Sequence, residues 1–292
     1  MTRKDAFQMV LLSAFWGVSF LLIRYSGEVF PPVWVALLRS VCGATVLIAA
    51  LRLGGRSLPP LRLWKPLLLV ALFNNVLPWT FFAWGEQTVS SSVAAIINAT
   101  TPLFALLIGL GLRESRLRGW VAAGVLLGLG GVALTVSGGM GGGHATVLGV
   151  SVLLIASAGY AVATTIAGRT LAGCDPVGLA TTQLGLSALI LLPVALAGPH
   201  PAALTSRAVL SVVVLGVAGS GLAYLLYYGL LARVSPTQLT AVTYALPVWG
   251  LGWGALAGEP VGVVSLAGVI VVLAGLGLIN APPRQPRAAV PT

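Results

Sequence analysis

The sequence predicts an all-α integral membrane protein: ten transmembrane helices arranged as two inverted five-helix repeats. Three observations carry this. The chain of 292 residues is 58% apolar and only 8% charged, with a mean hydropathy of +1.00, against roughly 25% charged residues in a soluble domain. Its apolar residues fall into ten segments long enough to cross ~30 Å of hydrocarbon. The chain also repeats itself. Val89, Ser90, Pro102 and Leu103 recur as Val234, Ser235, Pro247 and Val248, and Arg113-Glu114-Ser115 is answered by Gly258-Glu259-Pro260, all at an offset of 145 residues. A second set, Trp16 to Tyr160, Pro32 to Pro176 and Arg39 to Gln183, runs at 144. Weak internal symmetry in a hydrophobic chain marks a protein of two related halves with a site between them.

The predicted spans are 7–25, 33–51, 67–84, 93–112, 118–136, 148–167, 177–196, 209–230, 238–257 and 263–280. The first follows Arg3-Lys4 and lacks a small-x-small cleavage site soon afterwards, so it reads as a membrane helix rather than a removable leader. Pro31-Pro32 opens the second span and Pro59-Pro60 separates the second from the third. Cys174-Asp175-Pro176 and Pro199-His200-Pro201 bound the seventh. Such residues break helices and form turns. The glycine run at 138–143 reads as the linker between halves. This divides the chain into a first repeat at 1–137, a Gly-rich linker at 138–147, a second repeat at 148–281 and a disordered, Pro- and Arg-containing tail at 282–292.

The net charge of +10 would suggest nucleic acid in a soluble protein, but here the basic residues sit between apolar runs and set topology. With the N-terminus inside, only Arg24, Arg39 and Arg207 of the 16 basic residues fall outside. Both termini are therefore expected in the cytoplasm, for a bacterial chain on the inner membrane. Five helices per half is an odd number, so the second half enters from the opposite face and the repeat is inverted. Cys42 lies in an apolar run and Cys174 in a cytoplasmic loop, so free thiols are expected. The fifth and tenth spans carry Gly124, Gly128, Gly130 and Gly131, and Gly268, Gly275 and Gly277, which let helices approach closely, inside one chain or across a dimer face.

Pro102 and Pro247 sit near the centres of the fourth and ninth spans, about 15 Å from either surface at ~1.5 Å per residue. Each deletes a backbone hydrogen bond, so symmetric kinks are expected, either fixed or able to rock. Polar and amphipathic aromatic residues gather at matching depths: Trp16, Asn74, Asn75, Trp79, Asn98 and Thr101 in the first half, Tyr160, Tyr224, Tyr227, Tyr228, Thr243 and Tyr244 in the second. In a dry interior such groups need partners and face the bundle or its water. Trp34, Trp64, Trp84 and Trp120 lie near span ends and read as interfacial anchors. Arg39 has two readings: a surface cation snorkelling or paired with Glu86, or the group that holds a substrate carboxylate or latches the outer gate. The set Trp16, Arg39, Asn75, Trp79, Asn98, Thr101, Tyr160, Tyr224, Tyr228 and Tyr244 is the candidate site. It offers stacking faces and neutral hydrogen-bond partners, suited to an amphipathic or zwitterionic small molecule.

Phe30-Pro-Pro-Val-Trp-Val-Ala-Leu-Leu-Arg39, Thr101-Pro102-Leu103-Phe104 and Arg113-Glu114-Ser115 ahead of Gly119-Trp120 resemble the EamA-type drug/metabolite transporter family. Ala232-Arg-Val-Ser-Pro236, Leu246-Pro247-Val248 and Gly258-Glu259-Pro260 carry the same resemblance in the second half. Gln183 in place of a second arginine, and Arg113-Glu114 in place of Gly-Glu, depart from the pattern. The resemblance implies a ten-helix carrier with its cavity between helices 1–4 and 6–9 and helices 5 and 10 behind. It implies alternating-access movement of amino acids, other metabolites or drugs, many of them outward. Within the family the chain is similar to the exporters of aromatic amino acids typified by YddG. A nucleotide-sugar or sugar-phosphate carrier is the alternative, though the chain lacks the several mid-membrane basic residues that a phosphate would need. A drug or metabolite permease of open direction is the remaining alternative.

Other classes are disfavoured. No Gly-x-x-x-x-Gly-Lys loop exists for a nucleotide-driven motor. No catalytic pair or metal-ligand set lies at depth, so neither an enzyme nor a cofactor is expected. All six carboxylates and both histidines fall near loops or helix ends, so no mid-membrane proton relay is visible and movement down a gradient is expected. The expected partners are a small-molecule substrate and the lipid bilayer, with one copy of the chain sufficient.

Overall fold

A computed structural model describes residues 2–113, 119–139, 146–234, 236–260 and 262–279. Residues 140–145 of the expected linker, Glu114-Ser115 and the tail at 282–292 lie outside the described residues. Those described form ten helical rods: α1 (Arg3–Gly27), α2 (Pro32–Leu53), α3 (Leu61–Gly85), α4 (Ser91–Gly111), α5 (Gly119–Gly139), α6 (Val147–Thr170), α7 (Pro176–Ala197), α8 (Ser206–Leu231), α9 (Pro236–Leu256) and α10 (Val263–Ile279). The first eight are each long and apolar enough to cross a bilayer, and α10 is a shorter apolar helix. Short connections make the rods alternate in direction. We call the end holding Arg3 and Ile279 proximal and the other distal.

The packing has the symmetry that the sequence repeat implies. Helix α2 packs on its counterpart α7, and α5 on its counterpart α10. Further contacts come in matched couples: α1 on α9 with α6 on α4, α1 on α8 with α6 on α3, and α2 on α8 with α7 on α3, while α4 also meets its own counterpart α9. Helices α5 and α10 lie behind the other eight, and their glycines explain the closeness. A Cβ at Gly275 would stand 2.6 Å from the Gly124 carbonyl oxygen, and one at Gly131 would stand 2.6 Å from the Val272 nitrogen. Gly124 and Gly131 of α5 thus serve packing within one chain.

Three rods are not regular, and their irregularities position the site. In α3, residues Leu72–Val76 form a π-helical turn; in α8, Val217–Leu222 do the same. Their first residues are 145 positions apart. Pro78 has no N–H to offer the carbonyl of Asn74, which favours the widened turn in α3. The α8 turn carries Gly219-Ser220-Gly221, where α2 approaches so closely that a Cβ at Gly221 would stand 2.6 Å from that of Val46. Helix α4 breaks outright: α-helix runs over Ser91–Asn98, turns through Ala99 and Thr100, and resumes at Thr101–Gly111.

The expected symmetric kinks at the two prolines take unequal forms. Pro102 lies in the first turn of the resumed half of α4, whereas α9 stays helical through Pro247. The difference follows from hydroxyls beside the α4 break. Thr101 Oγ1 donates to the Asn98 carbonyl (2.8 Å), and Thr100 Oγ1 and Ser157 Oγ donate to that of Ile97 (2.6 and 3.3 Å). The Thr101 bond satisfies a carbonyl that an interrupted helix would otherwise leave bare, and the other two add to the Thr100 N–H that already reaches Ile97 at 2.9 Å.

Candidate functional site

A cavity of about 530 Å³ lies between the halves. Its proximal mouth is lined by Thr164 and Gly168 of α6 and Leu231 of α8, all exposed. It extends inward past Trp16, Asn98, Thr101 and Thr243 to Arg39, Trp79, Phe82 and Tyr160. There an aromatic stack closes it. The Phe20 and Phe82 rings meet edge to face with centroids 5.6 Å apart, and Phe82 stacks on Tyr160 at 6.1 Å. The molecule is therefore open at the proximal end and shut at the distal end.

Among the described residues Arg39 is the one charged side chain of the wall, 8% exposed. Its guanidinium carbon lies 4.0 Å from the centroid of the Trp79 ring. Its Nε donates to Ser220 Oγ at 2.8 Å, and its Nη2 reaches the Gly219 carbonyl at 3.5 Å. Both partners belong to the π turn of α8, which α2 meets through Gly216: a Cβ there would be 2.5 Å from that of Cys42. Among the described residues no carboxylate lies within ion-pair distance of Arg39. Glu86 does not pair with it. The cation is held by one hydroxyl, one weakly engaged carbonyl and a ring face, so part of its fork is left for an anionic guest.

The π turn of α3 supplies the opposite wall. Asn74 Nδ2 donates to Gln183 Oε1 and to the Tyr224 hydroxyl, both at 3.1 Å, and Asn75 Nδ2 donates to that hydroxyl at 3.2 Å. Three tyrosines follow on α8. Tyr224 stacks on Tyr228 at 6.0 Å, Tyr228 meets Tyr227 edge to face at 5.2 Å, and Tyr227 lies 5.6 Å from Trp16.

Eight of the ten residues proposed from sequence line this cavity: Trp16, Arg39, Trp79, Asn98, Thr101, Tyr160, Tyr224 and Tyr228. Two do not. Asn75 is fully buried behind the wall, where it holds Tyr224, and its neighbour Asn74 takes the cavity position. Tyr244 points the other way, its hydroxyl donating to the Leu276 carbonyl of α10 at 3.2 Å. Sequence reasoning missed Phe20, Phe82 and Gly219 on the wall, and Ser220, which orients Arg39. The available signal was the pairing of Asn74-Asn75 with Gly219-Ser220 at the 145-residue offset, two stretches of poor helix formers in mid-span.

Beyond the aromatic stack the distal end is clamped by charge. Glu259 follows α9 and reaches the start of α4, where its carboxylate accepts from the Ser91 N–H (3.1 Å) and hydroxyl (2.7 Å) and from the Ser92 N–H (3.1 Å) and hydroxyl (2.6 Å). Arg24 of α1 completes an ion pair with it. A carboxylate at a helix N-terminus satisfies orphan N–H groups and meets the positive end of the dipole. Burial raises the Glu259 pKa, but the bonds from Ser92, Ser91 and Arg24 outweigh it and leave the group below its ordinary value.

The EamA-like transporter family model matches the chain twice, over residues 4–137 and 147–281. The "Uncharacterized inner membrane transporter YedA" of Escherichia coli K12 is 33% identical over 279 residues, covering 88% of this chain and 87% of its own. A Salmonella typhimurium protein named "Probable amino-acid metabolite efflux pump" is 25% identical, covering 94% of each chain. A solved crystal structure, 24% identical, superimposes with a TM-score of 0.68 over 95% of this chain and 96% of its own, a likeness of fold. The double family match, the repeat-related packing and the cavity between the halves agree: the chain is a multi-pass membrane protein and belongs to the EamA-like transporter family.

Proposed function

We propose that this transporter exports amphipathic, zwitterionic metabolites, aromatic amino acids foremost, from the cytoplasm of a bacterium across its inner membrane by alternating access. The observation that carries the reading is the Arg39 guanidinium stacked on Trp79 with no carboxylate among the described residues beside it, in a cavity whose wall also includes Trp16 and four tyrosines. A carboxylate fits the free part of the cation and an aromatic side chain fits the ring faces. Both termini lie in the cytoplasm on this reading, as the basic residues suggest, and the open mouth faces the substrate pool to be exported. Both halves of one chain build the cavity, so one copy suffices. The name of the Salmonella relative supports amino acids as the class. A single buried cation argues against phosphate esters, which draw several.

Purified protein in proteoliposomes, offered a panel of labelled amino acids with the aromatic ones first, tests this. Saturable counterflow of aromatic amino acids is the expected result. Movement of sugar phosphates or nucleotide sugars with none of the amino acids overturns it.

A further inference from the structure

Glu86 directly follows α3 at the distal end and is 7% exposed. Both of its carboxylate oxygens are buried and, among the described residues, without a hydrogen-bond partner. It is also the C-cap residue of the helical segment Leu77–Gly85, where the negative end of the dipole repels an anion. The charged groups acting on it are Glu259 beyond α9, Arg24 of α1 and Arg39 of α2. Both arginines are engaged elsewhere, Arg24 with Glu259 and Arg39 with Ser220 and Trp79. An ionised carboxylate in such a place would be desolvated and uncompensated, a cost that proteins avoid by neutralising the group.

We propose that Glu86 is a proton-binding site of the distal gate: closing that end takes up one proton from the compartment it faces, and opening it returns that proton to the same compartment. Opening must part Arg24, Glu259 and the start of α4, which lets water reach Glu86 and restores its charged form. Burial and the Glu259 carboxylate push its carboxyl well above the usual range in the closed form, against the pull of Arg24 and Arg39. The sign follows. Closure is fully supported below the ordinary glutamate value of about 4.3 and loses that support as the distal pH rises through the raised value. Uptake and release on one side make Glu86 a gate sensor and not a coupling ion. Distal pH sets the rate of cycling, and a pH gradient drives no accumulation.

The proposal rests on the alternating-access reading, but its test needs no transported substrate. Val89, buried three residues after Glu86, becomes the reporter in a Val89→Cys variant with Cys42 and Cys174 replaced by Ala, reconstituted in liposomes. A membrane-impermeant maleimide is applied from the distal side. The labelling rate is divided by that of glutathione in the same buffer, which removes the pH dependence of thiol chemistry. The expected result is a rise of at least threefold in this ratio as distal pH goes from 5 to 8, with no response to proximal pH. With Glu86→Gln added the ratio becomes flat. A flat ratio in the protein that keeps Glu86, an equal slope in the Gln variant, or a response to proximal pH overturns the proposal. Should Glu86→Gln fail to fold, the parent protein still decides through its distal and proximal profiles. If no amino acid is transported while the labelling profile appears as stated, the substrate reading fails and the gate stands. Substrate accumulation driven by a pH gradient overturns the gate.

Discussion

The Arg39 guanidinium lies 4.0 Å above the ring of Trp79, with its Nε on Ser220 across the repeat interface. The stack fixes the plane of the fork, and the hydroxyl fixes its rotation, so one edge is turned to the cavity. If that edge receives a carboxylate, Arg39→Gln weakens binding of an aromatic amino acid by about 10- to 100-fold, the ~1.5–3 kcal/mol of a charge-assisted hydrogen bond. The decarboxylated amine of the same substrate loses no more than about twofold. Arg39→Lys keeps the charge but not the planar face and falls between the two. Equilibrium binding of both ligands to detergent-solubilised protein checks this, and equal losses for the two would remove the carboxylate from the proposal.

The fit of α5 to α10 gives a stability prediction with its own control. A methyl at Gly131 or Gly275 meets opposing backbone at 2.6 Å, which no side-chain rotation relieves, whereas one at Gly130 meets nothing within 4 Å. Gly131→Ala and Gly275→Ala each cost about 1–3 kcal/mol and lower the thermal midpoint in detergent by roughly 3–10 °C. Gly130→Ala leaves it unchanged or slightly higher, since it removes an exposed helical glycine. Equal midpoints for the Gly130 and Gly131 variants would mean that the helices do not pack as described.

Ten spans and their alternation were legible in the sequence because they depend on hydropathy and short connections; the glycines of α5 and α10 marked close packing, and their rear position was what the family resemblance implied. Which face each helix turns inward was less so. Every rod is apolar nearly all round, so depth can be read but azimuth cannot. Tyr244 has the right depth and faces α10. Asn75 sits in a π turn, where one extra residue per turn rotates all that follows, so a wheel drawn for a regular helix turns the wrong one of Asn74 and Asn75 to the cavity. Pairing with Glu86 was one of the readings left open for Arg39. The cation instead goes to the π turn of α8, a feature that no local propensity announces, and Glu86 is left bare.

Glu259 binds α4 through four hydrogen bonds and α1 through Arg24, so it holds the distal end of two helices with one carboxylate. Its pKa is held below the ordinary value by those bonds. The clamp is therefore complete above an ordinary glutamate pKa of about 4.3 and is lost as pH falls through the lowered value. This is the opposite sign to Glu86. Glu259→Gln keeps the shape but turns one acceptor oxygen into a donor facing Ser or Arg24. The expected result at neutral pH is a distal end that opens more often, read as at least threefold faster labelling of Val89→Cys from the distal side, with the thermal midpoint lowered. Arg24 is half exposed, so Arg24→Gln gives the smaller effect of the two. A larger effect from Arg24→Gln would place the clamp in the ion pair and not in the cap of α4.

The break in α4 distinguishes the two prolines, and the last prediction turns on it. Pro102 removes the N–H that would have reached the Asn98 carbonyl, and Thr101 Oγ1 supplies a replacement at 2.8 Å. Pro102→Ala restores that donor and favours continuous helix through Ala99 and Thr100. A continuous α4 would swing Asn98 and Thr101 relative to the cavity they now line. Insertion into the membrane is expected to be unaffected, because the span keeps its length and hydropathy. Transport is expected to slow by about tenfold, a barrier change of ~1.4 kcal/mol. Pro247→Ala acts on a helix that is already continuous and slows transport by no more than about twofold. Membrane fractionation measures insertion and initial counterflow rates measure transport. Full activity with both prolines replaced would make them elements of static packing, and equal slowing by each alone would mean that the two halves move alike despite their different backbones.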